Sequence, residues 1–414
     1  MSRSDQHKFR RKLWEVEEAI FVSPDGASVT EESVRAVLAP LAEGAGDKAE
    51  ERASALGDLA AGRTSRADYL ELHGACGVHK HVTAGGRSIF LLSIETFPNH
   101  VNNVYLVRER ERAFLVDAGS QLPVAQSDFQ RAGRVLAALH GQASILDSIG
   151  DVVITHGHFD HYGMAGHWRA QGARIHVHEM DARVLTNFAE RIVVVARALR
   201  LFLEAGGIVG DELHELQQMY LFYKNAFKSV PVDSLLTDGA DVLGATVYHV
   251  PGHCPGQVCL QIDNVLLTAD HVLPRITAHQ SPESITQSTG LDHYFESLEK
   301  IRRVGGVDMA LPGHEEPIRD VSQRIREIEA FHRARLEKVR ETCASEPRTL
   351  RQISVSLFGE QKEYNKLLAY EEAGAHVEYL ERRGLLEIAN LEDFETQVNP
   401  IVYYRAKQPP PQAP

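Results

Sequence analysis

The pattern of hydrophobic and polar positions changes period near residue 86. Before that point apolar residues recur at helical spacing, which predicts helices over Phe9–Ala19, Glu31–Ala42 and Arg63–Gly74. From Ser88 to Val116 short β-branched runs alternate with charged turns, a pattern typical of strands. Strands and helices then alternate to about residue 320, after which the pattern is helical again. We therefore predict an α/β domain with a helical extension on either side.

The densest group of chemically active side chains follows a short apolar strand, Asp151–Ile154. Three histidines and one aspartate lie within six positions there, and strand ends in α/β proteins commonly bind ligands. His156 and His158 are two positions apart, so an extended backbone directs both rings to one side. Imidazole and carboxylate groups are ligands that zinc and similar divalent metals prefer. The stretch predicts a metal site, and a polar loop that only caps the next helix is the alternative.

This stretch, His156-Gly157-His158-Phe159-Asp160-His161, resembles the His-x-His-x-Asp-His signature of the metallo-β-lactamase superfamily. Downstream segments are similar to the loops and the strand end that deliver the remaining ligands in this family: Pro251–Gly256, Leu266–His271 and Leu311–His314. The resemblance covers about Ile89 to Ile318. It implies an αββα sandwich that holds two divalent metal ions.

The resemblance also implies a ligand for each coordination position. One ion would be bound by His156, His158 and His253. The other would be bound by Asp160, His161 and His314, and Asp270 would bridge the two. Zinc is the expected metal, while iron or manganese would also suit a mixed set of histidine and aspartate ligands.

Two departures from the family pattern lie beside these ligands. The family often has Gly-Gly after the Asp-His pair, where this chain has Tyr162-Gly163-Met164. Glycine is also usual before the bridging aspartate, where this chain has Ala269. The turn at Asp117 resembles the family's Asp-Ala-Gly turn, so Asp117 would orient a ligand histidine, although an ordinary turn residue is an equal alternative.

The implied chemistry is hydrolysis, in which a metal-bound hydroxide attacks a carbonyl carbon. Asp160 would double as a proton acceptor. Tyr162 would donate a hydrogen bond to the oxyanion, or would only fill the start of a helix. The predicted substrate is a thioester such as an acyl-CoA, and the alternatives are single-stranded RNA, cleaved by an endoribonuclease or phosphodiesterase, and a lactone or β-lactam.

The chain is predicted to consist of an N-terminal extension, a catalytic domain with an insertion, a C-terminal module and a short tail. Residues 1–85 form a helical extension, residues 86–320 the catalytic domain, and residues 181–236 an inserted helical hairpin. The hairpin is predicted as Arg183–Glu204 and Asp211–Lys228, acting either as a lid or as packing. Residues 321–406 resemble the C-terminal winged-helix module of one branch of the superfamily, which includes an endoribonuclease and thioester hydrolases. Residues 407–414 are predicted to be disordered.

The composition of the chain limits which binding partners and which cellular location we expect for the protein. The formal charge of −13 disfavours binding to nucleic acid without excluding a local basic patch. No apolar run reaches the roughly 18 residues of a membrane-spanning helix, and the polar N-terminus lacks a signal-peptide pattern. We therefore expect a cytoplasmic protein that acts on a small molecule and does not bind membranes, and a homodimer is compatible with the sequence. The four cysteines have no metal-binding or disulfide spacing, so isolated reduced thiols are expected.

Overall fold

The computed structural model describes residues 3–23, 29–110, 112–143, 145–222 and 227–407. They divide into two compact units. The first comprises Met1–Ile154 and His158–His176, and the second comprises Thr155–Gly157 and Val177–Pro414. The end of the predicted helix Asp211–Lys228, including Tyr223, and residues 408–414 of the predicted tail fall partly or wholly outside the described residues.

The first unit begins with helices that surround a buried carboxylate. Their bounds are α1 (Arg3–Phe21), α2 (Glu31–Ala45), α3 (Asp47–Ala60) and α4 (Arg66–His73). Glu17 of α1 is fully buried. It accepts hydrogen bonds from the Tyr69 hydroxyl at 2.7 Å, the Cys76 amide at 2.6 Å and the Arg52 guanidinium at 2.9 Å. This one side chain therefore links α1, α3, α4 and the segment after α4.

The sheet of the first unit has its strands in the order in which they occur in the chain. Their bounds are β1 (Val78–Val82), β2 (Ser88–Phe97), β3 (His100–Glu109), β4 (Arg112–Val116), β5 (Asp151–Ile154) and β6 (Arg174–His178), the last of which continues into the second unit. Strands β1 to β4 are antiparallel, whereas β4 and β5 are parallel. The helices that follow β4 and β5 are α5 (Pro123–His140), α6 (Phe159–Tyr162) and α7 (Ala165–Ala170). Parallel β4 and β5 end at the same sheet edge, which brings the turns after them together.

The second unit contains a five-stranded sheet in the order β12-β11-β10-β9-β8. Strand β7 (Ser234–Leu236) precedes these five strands in the chain and neighbours β6 in the other sheet. The bounds of the five are β8 (Asp241–Val242), β9 (Ala245–His249), β10 (Val258–Ile262), β11 (Val265–Ala269) and β12 (Met309–Pro312). Helices α11 (Leu291–Arg302) and α12 (Val321–Thr342) share an apolar core with this sheet. Sheets flanked by helices confirm the predicted α/β class of the αββα type.

The predicted helical hairpin is present, but its first arm is broken. It forms α8 (Glu179–Thr186) and α9 (Phe188–Ala205), separated by Asn187 with a non-helical ψ of 42°, and is followed by α10 (Gly210–Phe222). Helices α9 and α10 share a buried cluster with the C-terminal helix α14 (Glu363–Arg382) through Leu203, Leu213 and Leu367. The hairpin therefore packs on the C-terminal helices, and not only on a sheet.

The C-terminal part is helical and ends in a small sheet. Its remaining elements are β13 (Arg348–Thr349), α13 (Leu350–Phe358), β14 (Leu386–Ile388), α15 (Asp393–Thr396) and β15 (Tyr403–Ala406). The sequence pattern predicts two separate helices, Lys362–Tyr370 and Ala373–Arg383, but α14 runs through both, so that prediction is wrong. The intervening Glu371 and Glu372 are ordinary helix formers, so nothing interrupts the turn. The apolar runs Leu385–Ile388 and Val402–Tyr404 predict a small hairpin, and strands β14 and β15 do pair antiparallel there.

Two further features bear on chemistry and location. All four cysteines, Cys76, Cys254, Cys259 and Cys343, are buried, and none of them forms a disulfide, in agreement with the predicted isolated thiols. Within the residues that the structure describes, no helix is both long and apolar enough to span a membrane.

Candidate metal centre

The first unit carries three of the predicted ligands in and just before α6. His158 precedes the helix, and Asp160 and His161 lie in its single turn. The Nδ1 atom of His161 lies 2.8 Å from Oδ2 of Asp117 at the end of β4, so this nitrogen donates to the carboxylate. The Nε2 atom of His161 therefore keeps its lone pair, as a metal ligand requires. Asp117 takes the position that the resemblance implied for it, in a left-handed backbone conformation with φ of 66°.

Asp160 is held by two residues that the sequence analysis did not identify. The Nδ2 group of Asn102 donates to Oδ2 of Asp160 at 3.0 Å, and His100 Nε2 lies 3.1 Å from the same oxygen. Thr96 donates to the amide oxygen of Asn102 at 2.6 Å, which fixes the orientation of the amide. Positions 100 and 102 share one face of β3. The signal available in the sequence was this pair of polar residues, two positions apart at the start of the strand.

In the second unit the other predicted ligands converge on Asp270. The Nε2 atoms of His314 and His253 lie 3.3 Å and 3.8 Å from its Oδ2 atom. The rings of His156 and His253 are 5.2 Å apart. Asp270 and His314 follow β11 and β12, which are parallel and end at the same edge. A carboxylate between two imidazoles suits the bridging role that the resemblance gives to Asp270.

Backbone contacts set the ring orientations of these histidines. The Nδ1 group of His253 donates to the carbonyl oxygen of His279 at 2.7 Å, which makes Nε2 the unprotonated nitrogen of the neutral ring. His156 Nδ1 lies 3.1 Å from the Thr155 hydroxyl. A histidine whose second nitrogen is engaged by protein is typical of metal ligands. In each unit, the donor atoms and their supporting contacts therefore fit divalent metal ions.

The two departures from the family pattern have structural counterparts. Ala269 has a positive φ of 45°, a conformation that glycine adopts without a Cβ penalty, which explains why glycine is usual there. Tyr162 ends α6 with a buried side chain, and burial raises the pKa of its hydroxyl. It therefore stays neutral and protonated at physiological pH.

Asp181 in α8 is a further buried carboxylate near the ligand-bearing loops. Its Oδ2 atom accepts from the Gly157 amide and its Oδ1 atom from the Gly256 amide, both at 2.8 Å. Burial raises the pKa of Asp181 to about 6, although the two amides favour the charged form. The sequence analysis used Asp181 only as the beginning of the inserted segment, and no motif spacing indicated this contact.

Comparisons with known proteins agree with this geometry. The family model described as the metallo-β-lactamase superfamily matches residues 98–330, more than half of the chain. A metallo-β-lactamase family protein from Thermus thermophilus is 26% identical with a TM-score of 0.61, and the match covers 77% of this chain and 98% of that one. A β-lactamase domain protein from Burkholderia ambifaria shares the fold at 24% identity and a TM-score of 0.61, over 80% of this chain and 94% of that one. No curated protein matches the chain.

Proposed function

Because the chain belongs to the metallo-β-lactamase superfamily of metal-dependent hydrolases, we propose that it hydrolyses a thioester, such as an acyl-CoA. Membership of the family supports the metal-dependent hydrolysis. The observation that carries the thioester is the apolar surface of the inserted hairpin. Val193, Val194 and Leu201 of α9 and Phe222 of α10 are exposed large hydrophobic residues. Such a surface suits an acyl chain better than a phosphate backbone.

The proposed ligands are those that the resemblance assigns. His156, His158 and His253 would hold one divalent ion. Asp160, His161 and His314 would hold the other, and Asp270 would serve both. The proposal is supported within each unit by the engaged second nitrogens of His161 and His253. Zinc is the proposed metal, and iron or manganese would also suit these ligands.

The residues of the chain divide the remaining work. When bound, divalent ions would supply Lewis acidity that brings the pKa of a bound water towards neutrality and polarises a carbonyl. Asp160 accepts a proton, and the hydrogen bond from Asn102 keeps its carboxylate oriented. Tyr162, whose raised pKa keeps it protonated, is the proposed donor to the oxyanion. Because Tyr162 is buried, its hydrogen bond to the oxyanion should contribute less to the rate than proton acceptance by Asp160. Tyr162→Phe should therefore reduce the rate less than Asp160→Asn.

The acidic face of α14 supports a packing role for the C-terminal module. Glu372 accepts from the Gln280 amide at 2.7 Å and from Arg335 at 2.6 Å. Glu378 accepts from the amides of Glu283 and Ser284 at 2.8 Å and 3.0 Å. These carboxylates hold the segment that follows the ligand strands, and they would repel a phosphate backbone. We propose that this winged-helix-like module packs against the catalytic domain and does not bind nucleic acid.

The test is release of free thiol from a panel of acyl-CoA and acylglutathione thioesters by the metal-loaded protein. We expect release by the wild type. We expect loss of both activity and bound metal in Asp270→Ala, because the bridging carboxylate holds both ions. Glu296→Gln, a change at a residue of α11 that is not a proposed ligand, is the control and should retain activity and metal.

Two outcomes would contradict the proposal. A fully metallated and active Asp270→Ala variant would refute the site assignment. If the metal-loaded wild type released no free thiol from any thioester of the panel, the thioester proposal would be rejected. Single-stranded RNA and lactones would then be the substrates to assay. An RNA-cleaving activity would also lose affinity steeply with added salt, unlike a thioesterase.

A further inference from the structure

Asp181 joins two loops that are far apart in the sequence. Gly157 lies between the proposed ligands His156 and His158, while Gly256 lies three residues after His253. Each loop donates one backbone amide to a different oxygen of the Asp181 carboxylate, both at 2.8 Å. The carboxylate therefore spans the two loops as a bidentate acceptor.

The surroundings of Asp181 leave little room for another arrangement. Asp181 is almost completely buried, with 1% of its surface exposed. A Cβ atom added at Gly256 would lie 2.7 Å from Cγ of Asp181 and 2.7 Å from its backbone nitrogen. One added at Gly157 would lie 3.1 Å from the Val184 side chain, one turn along α8. Glycine at both positions thus lets the two loops approach the helix closely enough to use the same carboxylate.

The energetics of burying Asp181 favour a role in positioning. Burying a carboxylate is costly unless hydrogen bonds compensate for the lost water. Water molecules or an apolar side chain could occupy the same volume as the carboxylate. Neither would fix the distance between the two loops. Charge-assisted bonds to two amides define that distance, because each bond has a narrow range of length and direction.

From this geometry we infer that Asp181 is a positioning residue for the proposed metal centre, holding the loops of His156 and His253 at the separation that one divalent ion requires. It is not a metal ligand and does not contact the substrate. The inference rests on the proposed function, since it concerns the same metal ligands. It adds a residue outside the ligand motifs on which metal affinity depends.

The experiment compares metal binding by the full-length wild type and by Asp181→Asn. Zn2+ affinity is measured by competition with a chromophoric chelator, and coordination by the visible absorption spectrum of the Co2+-loaded protein. An asparagine keeps one acceptor and turns an N–H group towards the other amide, so one loop is released. We expect Zn2+ affinity to fall about 10- to 100-fold, the range typical of residues that support metal ligands, and the Co2+ spectrum to change.

Two further variants separate positioning from general damage. Glu179→Gln removes a negative charge from an exposed position in the same helix and should bind metal like the wild type. Gly256→Ala keeps the carboxylate but forces the loop away from it, and it should weaken Zn2+ binding in the same direction. If Asp181→Asn does not fold, Gly256→Ala carries the test.

The outcomes distinguish this inference from the proposed function. Wild-type affinity and an unchanged Co2+ spectrum in the folded variants, even with lower thermal stability, would overturn the positioning role and leave the proposed function standing. A wild type that binds no divalent ion would overturn the proposed metal centre and the inference with it.

Discussion

At the scale of single residues, hydrogen bonds from outside the ligand motifs orient the predicted ligands. Asp117 and Asn102 contact His161 and Asp160, and Asp181 contacts the loops that contain Gly157 and Gly256. The motif spacing in the sequence indicates the proposed ligands, since metal binding restricts residue type and separation. Asn102 and Asp181 carry no comparable constraint, because they are brought to the site by sheet register and helix packing.

Replacing Asn102 by alanine tests this second set of contacts. The variant loses the donor to Asp160, so the carboxylate can rotate away from its position. We expect metal affinity to fall about tenfold, at the lower end of the range for residues that support ligands, as measured by chelator competition.

Asn103→Ala is the matched control for that change. Asn103 is the next residue of β3, is equally buried and projects to the opposite face of the strand. Equal loss of affinity in the two variants would show that β3 is merely destabilised and would reject the specific contact.

At the scale of secondary-structure elements, the sequence predicted the existence of elements better than their partners. Strands β2 to β6 and helix α12 follow from local periodicity, whereas β1 lies in the segment predicted as a helical extension and was missed. The continuity of α14 and the packing of α9 and α10 against it do not, because the apolar faces of helices specify burial without specifying a neighbour. Glu212 of α10 shows the result, since it accepts from Tyr370 at 2.8 Å and pairs with Lys366 at 3.1 Å, both in α14. A polar cluster and an apolar core thus hold the hairpin to the C-terminal helix.

The contact between α12 and α14 should make stability depend on pH. His332 is fully buried, its Nδ1 atom lies 3.2 Å from Nε2 of His376, and burial lowers the pKa of His332 to about 3. The unfolded chain binds a proton as the pH falls below about 6.5, whereas the folded protein does not. The free energy of unfolding should therefore decrease as the pH falls from 6.5 towards 3, with about 2 kcal/mol lost between pH 7 and 5 through this group.

Urea unfolding of the metal-free protein at a series of pH values measures this effect. His332→Phe, in a site already lined by Tyr294, Phe295 and Phe331, should show a shallower dependence on pH. The exposed His214→Phe serves as the control and should keep the wild-type slope. A wild-type slope in His332→Phe would mean that His332 is not the titrating group.

At the scale of the whole molecule, the N-terminal helices are an integral part of the first unit. Arg11 of α1 lies against the buried carboxylates of Glu95 in β2 and Asp128 in α5, with an N–O distance of 2.5 Å to Asp128. The sequence predicted helices in residues 1–85 and left packing or dimerisation open. It could not reveal this ion pair, because the partners of Arg11 are 84 and 117 positions away.

Removing the Arg11 charge should therefore destabilise the protein. In Arg11→Met the Glu95 and Asp128 carboxylates lose a cation while remaining buried, so we expect the free energy of unfolding to fall by about 2–3 kcal/mol. Denaturant unfolding measures the loss. Lys12→Met is the neighbouring control, because Lys12 pairs with exposed Glu15 on the same helix. Similar losses in the two variants would contradict a special role for the buried pair.

The burial of the four cysteines makes their thiols reporters of local unfolding. Thiolates react with disulfide reagents, and burial raises the pKa of Cys343 to about 11, with Cys76 and Cys259 raised as well. Each of these thiols should therefore stay unreactive towards the reagent until local unfolding exposes it. Cys76 would time the opening of the first unit, Cys259 that of the second sheet, and Cys343 that of the end of α12. Pulsed labelling followed by mass spectrometry could then order these openings in the unmodified protein, without an added probe.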